Sequence, residues 1–296
     1  MTTAVQQSAQ RNRNTIFVED SEVLSIDSFP GDQFMMRMRS PKCAAAAQPG
    51  CFVHVTCDNT LPMRRPLSIM RAEDDCIDVL YKIVGDGLRW LSRKRPGDSI
   101  SVLGPIGQPF RPSADRSKTL LIGGGVGIPP MVFIADYLRQ QGRDWEPLAI
   151  LGSELPFPFE LQTSAIKTPW IDEEISATMP LLEDWAVPCR LATLAGFDAC
   201  FDGYVTDLAD KWLSTLSADE LLKVEIFSCG PTPMLKAVAQ LAEKYDLPCQ
   251  VSLEEFMACA VGGCAGCAVK IRTPEGEAMK RVCVDGPVFE AATVVW

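Results

Sequence analysis

Residues Thr119–Met131 read TLLIGGGVGIPPM, and this stretch divides the chain into two kinds of pattern. A run of buried-strand type leads into a glycine loop, and two prolines then stand where a helix would begin. Gly123, Gly125 and Gly127 allow the backbone to fold tightly against a pyrophosphate. Pro129 or Pro130 suits a first helical turn, where no amide is required. The loop departs from G-x-G-x-x-G, because the prolines occupy the place of the last glycine. An ordinary tight strand–helix turn would use the same residues, so both readings stay open on this stretch alone.

Downstream, strand and helix alternate: PPMVFIADYLRQQG is a helix with one apolar face, EPLAILGS a strand, KVEIFSCG a strand and PMLKAVAQLAEKYD a helix. That alternation predicts a parallel sheet with crossover helices. FSCGPTPM brings Cys229, Gly230 and Pro231 to the carboxyl edge of such a sheet, where open α/β folds bind ligands. At the end of the second strand, Gly152, Ser153 and Glu154 offer a carboxylate that can accept from a ribose hydroxyl and would repel a 2′-phosphate, which favours NAD over NADP. PFPFELQTSAIKTPWIDEEISATMPLLEDW, residues 156–185, fits neither period and reads as an insertion.

Upstream, from Thr15 to about Pro112, short β-rich runs such as FMMRMRS, CFVHVTC, CIDVLYKIVG and SISVLG are punctuated by PGD, QPG and RPGD. Regular short strands with Gly/Pro turns predict an antiparallel barrel or sandwich. Within it, MRRPLSIM contains Arg65, Pro66, Leu67 and Ser68, and YKIVGDGLRWLS follows with Gly85 and Gly87 opening a short helix. A guanidinium can grip a phosphate in two places, exposed helix-end amides favour an anion, and a hydroxyl reaches a polar ring edge. Arg65 alone reads equally as a surface ion pair and GDG as a plain turn; together they predict a flavin site. His54, the only histidine, is expected to be a barrel-strand residue near that site.

The last part of the chain holds CAVGGCAGC and then VCVDGPVF. Cys259, Cys264, Cys267 and Cys283 are spaced C-x4-C-x2-C, then fifteen residues, then the last cysteine. This is the plant-type ligand spacing of a [2Fe–2S] cluster. Small residues between the thiols let backbone amides approach the sulfurs and permit positive φ. Structural zinc is the alternative, although zinc loops more often use paired C-x2-C elements. The other eight cysteines are scattered through apolar runs, as buried free thiols are.

With 47% hydrophobic residues the chain can bury real cores, and a formal charge of −10 gives no support for nucleic acid or an anionic membrane as the main partner. No stretch is long and apolar enough to span a membrane, and residues 1–14 lack the apolar core of a secretory signal. A polar, disordered tail and a cytoplasmic location are the expectations. The domain boundaries expected are a tail at 1–14, an FAD-binding β-barrel at 15–114, an NAD-binding α/β domain at 115–246 and a cluster domain at 247–296.

RRPLSI with GDG, GGGVGIPPM with CGPTPM, and CAVGGCAGC with VCVDGPVF occur in one order from about Ile16 to Phe289. In this the chain resembles the electron-transfer subunits of NAD-dependent (class 1B) dihydroorotate dehydrogenases, within the ferredoxin–NADP reductase superfamily. The resemblance implies a six-stranded antiparallel flavin barrel, a five-stranded parallel α/β nucleotide domain and a small [2Fe–2S] domain. It implies FAD, a [2Fe–2S] cluster and NAD as cofactors. A separate FMN-containing subunit that oxidises dihydroorotate would be the partner, in a heterotetramer. On the matching positions it implies that Arg65, Gly85 and Gly87 hold the FAD phosphates, with Pro66, Leu67, Lys82, Val84 and Leu88 also at the cofactor. Ser68 would lie near the isoalloxazine and Cys229 by the nicotinamide, the two catalytic positions. Gly123, Gly125, Gly127, Gly230 and Pro231 would line the NAD. The family pattern is broken at Leu88, where threonine is usual, at Glu154, where a basic residue is common, and by a longer stretch at 170–185. A ferredoxin- or sulfide-linked reductase of the same fold, and a non-catalytic redox sensor, are the competing expectations.

Overall fold

The computed structural model describes residues 15–58 and 60–296; the expected tail, 1–14, lies outside them. Strands β1 (Phe17–Phe29), β2 (Gln33–Arg39), β3 (Phe52–Val55), β4 (Arg65–Glu73), β5 (Cys76–Lys82) and β6 (Ser99–Ile106) close into an antiparallel barrel in the order β1-β2-β5-β4-β3-β6. Alternation along each strand fills its interior: Val53, Val55, Ile69, Ile77, Val79 and Val102 point inward and are essentially buried. Helix α1 (Pro41–Ala46) follows β2, and α2 (Asp86–Leu91) follows β5, placing Leu88 and Leu91 in the same core.

The second unit is built on β7 (Lys118–Gly124), β8 (Glu146–Gly152), β11 (Cys189–Thr193), β13 (Val224–Cys229) and β14 (Cys249–Ser252), all parallel, in the order β11-β8-β7-β13-β14. These are the five strands the resemblance implies. Two further edges extend the sheet to seven: β12 (Phe201–Asp202), parallel to β11, and β17 (Val288–Glu290), antiparallel to β14. So β14 and β17, from beyond residue 247, run in the nucleotide sheet. Both faces of the sheet are covered. On β7, Leu121 joins the core under α3 (Ile128–Gln140), while Leu120 and Ile122 join the one under α5 (Val205–Ser214) and α7 (Thr232–Lys244). That two-sided burial explains why β7 reads as a continuous apolar run. Helix α3 carries proline in its first turn, and the loop Gly125–Gly127 before it is a single 3-10 turn.

The unparsed stretch 156–185 covers one end of the sheet with little regular structure. It holds the two-residue strands β9 (Gln162–Thr163) and β10 (Ala177–Thr178) and the short helix α4 (Pro180–Asp184). Side chains pin it instead. Buried Arg190 on β11 donates to the Ile166 carbonyl at 2.7 Å, and Glu183 accepts from the Ser164 hydroxyl at 2.8 Å and the Ala165 amide at 2.7 Å. The stretch also supplies Trp185. Arg71 from barrel strand β4 lies over its ring at 5.5 Å and Arg139 from α3 at 4.6 Å, so one indole joins the two units. Helix α6 (Ala218–Leu221) precedes β13, and the hairpin of β15 (Ala268–Thr273) and β16 (Gly276–Arg281) completes the C-terminal unit. Among the described residues no helix is long and apolar enough to cross a membrane.

Trp185→Ala removes both cation–π contacts and is expected to cost about 2 kcal/mol of stability. Urea unfolding measures this, and Trp185→Phe should recover part of the loss.

Candidate functional site

A groove of about 190 Å³ opens where the three parts meet. Its barrel wall comes from β3, β4 and β5, its sheet wall from the glycine loop and the end of β13, and its third wall from the segments either side of the cysteine loop. Of the residues expected from sequence, Pro66, Leu67, Ser68, Lys82, Val84 and Leu88 line it from the barrel, and Gly127, Cys229 and Gly230 from the sheet. Ser68 and Cys229 therefore stand on different walls of one cavity. Arg65, Gly85, Gly87, Gly123, Gly125 and Pro231 do not line it.

On the barrel side, the Arg65 guanidinium lies against the first turn of α2. A β-carbon at Gly87 would stand 2.8 Å from Arg65 Nε, so glycine is what lets the two come together. Arg65 donates to the Met63 and Arg64 carbonyls at 2.7 and 3.1 Å and forms no ion pair among the described residues. Gly85 caps this helix with φ of 155° and open space around it. Guanidinium and free amides thus point to the same place, a donor set suited to a diphosphate. Leu88, in the place where threonine is usual, packs into the barrel.

On the sheet side, the glycine loop presses against the end of β13. A β-carbon at Gly127 would overlap the Cys229 carbonyl, and one at Gly124 would run into Met234. Gly125 has φ of 54° and open space beside it. Cys229 is 8% exposed; burial pushes its thiol up to about 12, with the Ser252 hydroxyl lowering it and the Glu254 charge raising it. It is a neutral thiol. Glu154, after β8, is exposed and does not line the groove.

Sequence reading missed Phe52, Tyr81, Leu253, Glu254, Met257 and Pro287, which also line the groove. Phe52, Tyr81 and Pro287 stand inside the runs CFVHVTC, YKIVGDGLRWLS and VCVDGPVF, but nothing in the spacing of those runs gave these three a role. Tyr81 stacks on Phe34 at 5.6 Å, and its buried hydroxyl has no hydrogen-bond partner. Burial raises that hydroxyl's pKa, so it remains a donor. An orphaned hydroxyl, an ammonium at Lys82 and apolar walls fit a flat, polar-edged ring such as a flavin. Burial, then the Arg64 charge, lowers the His54 pKa to about 4, leaving a neutral imidazole outside the groove lining.

The four cysteines fall into two pairs. Cys267 and Cys283 are buried, with their sulfurs 3.4 Å apart. That is near the roughly 3.8 Å that two thiolates take on one tetrahedral metal with bonds of about 2.3 Å. Cys264 is exposed and donates its amide to the Cys259 sulfur at 3.4 Å. Among the described residues no three such side chains gather at a single metal point. Two pairs suit two bridged irons better than one zinc. Burial raises the Cys259 thiol, but the amides of Cys264, Val261 and Gly263 outweigh it and bring it down to about 7. Cys283 is pushed up to about 12 by burial and by Cys267 beside it. The loop reaches this shape through positive φ at Ala260, Gly262 and Ala265, and Arg281 holds it by donating to the Gly262 carbonyl at 3.1 Å.

The sequence profile of a family described as the iron–sulfur cluster binding domain of dihydroorotate dehydrogenase B matches residues 254–295. Curated relatives named as the electron-transfer subunit of dihydroorotate dehydrogenase B (NAD(+)) align over most of the chain. The one from Desulforamulus reducens is 31% identical across 94% of this chain and 98% of its own, and that from Bacillus caldolyticus 36% identical across 84% and 87%. Among solved structures, an NADH-dependent reduced ferredoxin–NADP oxidoreductase superposes with a TM-score of 0.75 at 26% identity, covering 94% of this chain and 90% of that one. The ferredoxin reductase of carbazole 1,9a-dioxygenase shares the fold, with a TM-score of 0.58 at 23% identity over 79% of this chain and 67% of that one.

Gly127→Ala should drive a methyl group into backbone that cannot move aside, costing about 3 kcal/mol. Thermal denaturation and NADH binding should both deteriorate, whereas Gly263→Ala, which has open space, should leave stability unchanged.

Proposed function

The chain belongs to the family of dihydroorotate dehydrogenase B (NAD(+)) electron-transfer subunits, and from that premise we propose how its site works. It takes electrons from the FMN of a separate dihydroorotate-oxidising subunit and delivers them through a [2Fe–2S] cluster and FAD to NAD⁺. The observation that carries this is the shared groove, where barrel, nucleotide loop and cysteine segment wall one cavity. Bound FAD supplies the exchange between single electrons and a hydride.

The chain's own residues bind and orient. Arg65 and the amides from Gly85 to Gly87 hold the FAD diphosphate, with Lys82 and the Tyr81 hydroxyl at polar edges of the ring. Gly123, Gly125 and Gly127 receive the NAD pyrophosphate, and Pro231 and Gly230 shape its nicotinamide end. Ser68, on the barrel wall, and Cys229, on the sheet wall, position the two rings; the Cys229 thiol stays protonated and takes no part as a base. Cys259, Cys264, Cys267 and Cys283 hold the two irons. The assembly is a heterotetramer with the FMN subunit. The eight remaining cysteines are unpaired, seven of them buried, which suits a reducing cytoplasm.

A second reading is favoured by the likeness to the NADH-dependent reduced ferredoxin–NADP oxidoreductase over 94% of the chain: the same relay serving ferredoxin. Pull-down separates them. Recovery of an FMN subunit with dihydroorotate–NAD⁺ activity supports the first, and turnover with ferredoxin alone the second.

Anaerobic NADH is expected to bleach a flavin band and then a cluster band; purified protein with zinc and no iron overturns the proposal. Arg65→Ala should remove about 2 kcal/mol of charged hydrogen bonding, a roughly 30-fold weaker FAD affinity by fluorescence titration, with iron content unchanged.

A further inference from the structure

We infer that Phe52, Leu253 and Met257 form one apolar partition between the flavin groove and the buried thiol pair, and that this partition governs the rate of electron passage between the two sites. The inference rests on reading the groove as the flavin site and the thiols as cluster ligands. All three side chains line the groove. The same three pack in the apolar cluster that contains Cys267 and Cys283. Each therefore has the groove on one side and the buried thiols' cluster on the other.

They arrive from separate parts of the chain. Phe52 is on β3, where alternation sends Val53 and Val55 into the barrel and turns Phe52 outward; it is 4% exposed. Leu253 follows β14 and is held by its amide, which donates to the Pro287 carbonyl at 2.9 Å. Met257 precedes Cys259 by two residues, and its flexible thioether is suited to filling an irregular gap. The thiols behind them are 3% and 2% exposed. The polar groups of the groove include Ser68, Lys82 and Cys229 on the other walls, and Ser252, Glu254 and Glu255, which are interspersed with the apolar residues along the segment that carries Leu253 and Met257.

A filled apolar layer does two things for electron exchange. It leaves no void across which electronic coupling would weaken, and it excludes water whose reorientation would oppose each transfer. In the NADH-driven direction used for the test, the reverse of the proposed physiological flow, one electron would pass from bound reduced flavin to the cluster at each crossing, and no bond to the partition forms or breaks.

The test uses the FAD- and iron-loaded protein and three variants: Met257→Ala, which opens a gap, Phe52→Leu, which thins the wall, and Met257→Leu, which conserves volume. Anaerobic stopped-flow with NADH reads flavin bleaching and cluster reduction as separate phases, and EPR of the reduced cluster reports its integrity. The expected result is a several-fold slower cluster phase in Met257→Ala, a smaller slowing in Phe52→Leu, and wild-type rates in Met257→Leu. The EPR signal stays unchanged throughout, and the slowing is read as the ratio of the cluster phase to the flavin phase of the same variant. If Met257→Ala loses iron, Phe52→Leu decides on the same readout. A wild-type cluster phase in a fully loaded Met257→Ala or Phe52→Leu overturns the inference, as does slowing of both phases together. Wild-type protein that binds no flavin or no iron overturns the underlying reading of the sites instead.

Discussion

A closed barrel satisfies its interior by alternation and leaves every second residue on the outside. On β3 those outward residues are Phe52 and His54, and they are only 4% and 1% exposed. The C-terminal segment buries Phe52 in one apolar cluster with Ile106, Ala260, Val282 and the two buried thiols. That contact, with Ile106 beside it, seats the cysteine segment on the barrel, where the same segment forms the third wall of the groove. His54, the other outward residue of β3, is uncharged, because burial and the Arg64 charge hold it in its neutral form. A charged imidazole there would have both ring nitrogens without hydrogen-bond partners, which low-dielectric surroundings disfavour.

The C-terminal unit is not a bead on a tether. Strands β14 and β17 pair within the nucleotide sheet, with Val251 opposite Phe289, and the cysteine loop is the long excursion between them. Gln108, just after the barrel's last strand, donates its amide to the Gly286 carbonyl at 2.6 Å and its side chain to the Val284 carbonyl at 3.1 Å. Gln250 on β14 bonds Arg111 in both directions, at 3.0 and 2.9 Å. Barrel, sheet and cysteine loop are therefore cross-linked through one connector, residues 107–117. Both exits from the cysteine loop, at Leu253 and at Pro287, run along the groove wall. The family's task needs cofactor sites at fixed spacing, and this bonding supplies it without any one large interface.

The backbone of the fold was legible because its signals are local. The β-rich runs before Pro112 became strands of the barrel, and TLLIGGGVGIPPM became strand, glycine turn and proline-started helix. The stretch from 156 to 185 was illegible for an equally physical reason. Its order comes from distant partners, Arg190 reaching Ile166 and Trp185 lying between Arg71 and Arg139, and such contacts leave no period in the sequence. Strand β11 hid behind a buried arginine, which alternation rules read as an exposed position.

By itself the sequence determined the order of the three units and the four thiols, because ligands crowded on one loop are set by spacing along the chain. It also brought out the two glycine turns, whose φ and close approaches depend on residues a few positions apart. The tertiary structure alone decided the groove. Phe52, Tyr81, Leu253 and Met257 lie up to about two hundred residues apart, and only packing, which depends on shape and solvent exclusion rather than on spacing, brings them around one cavity.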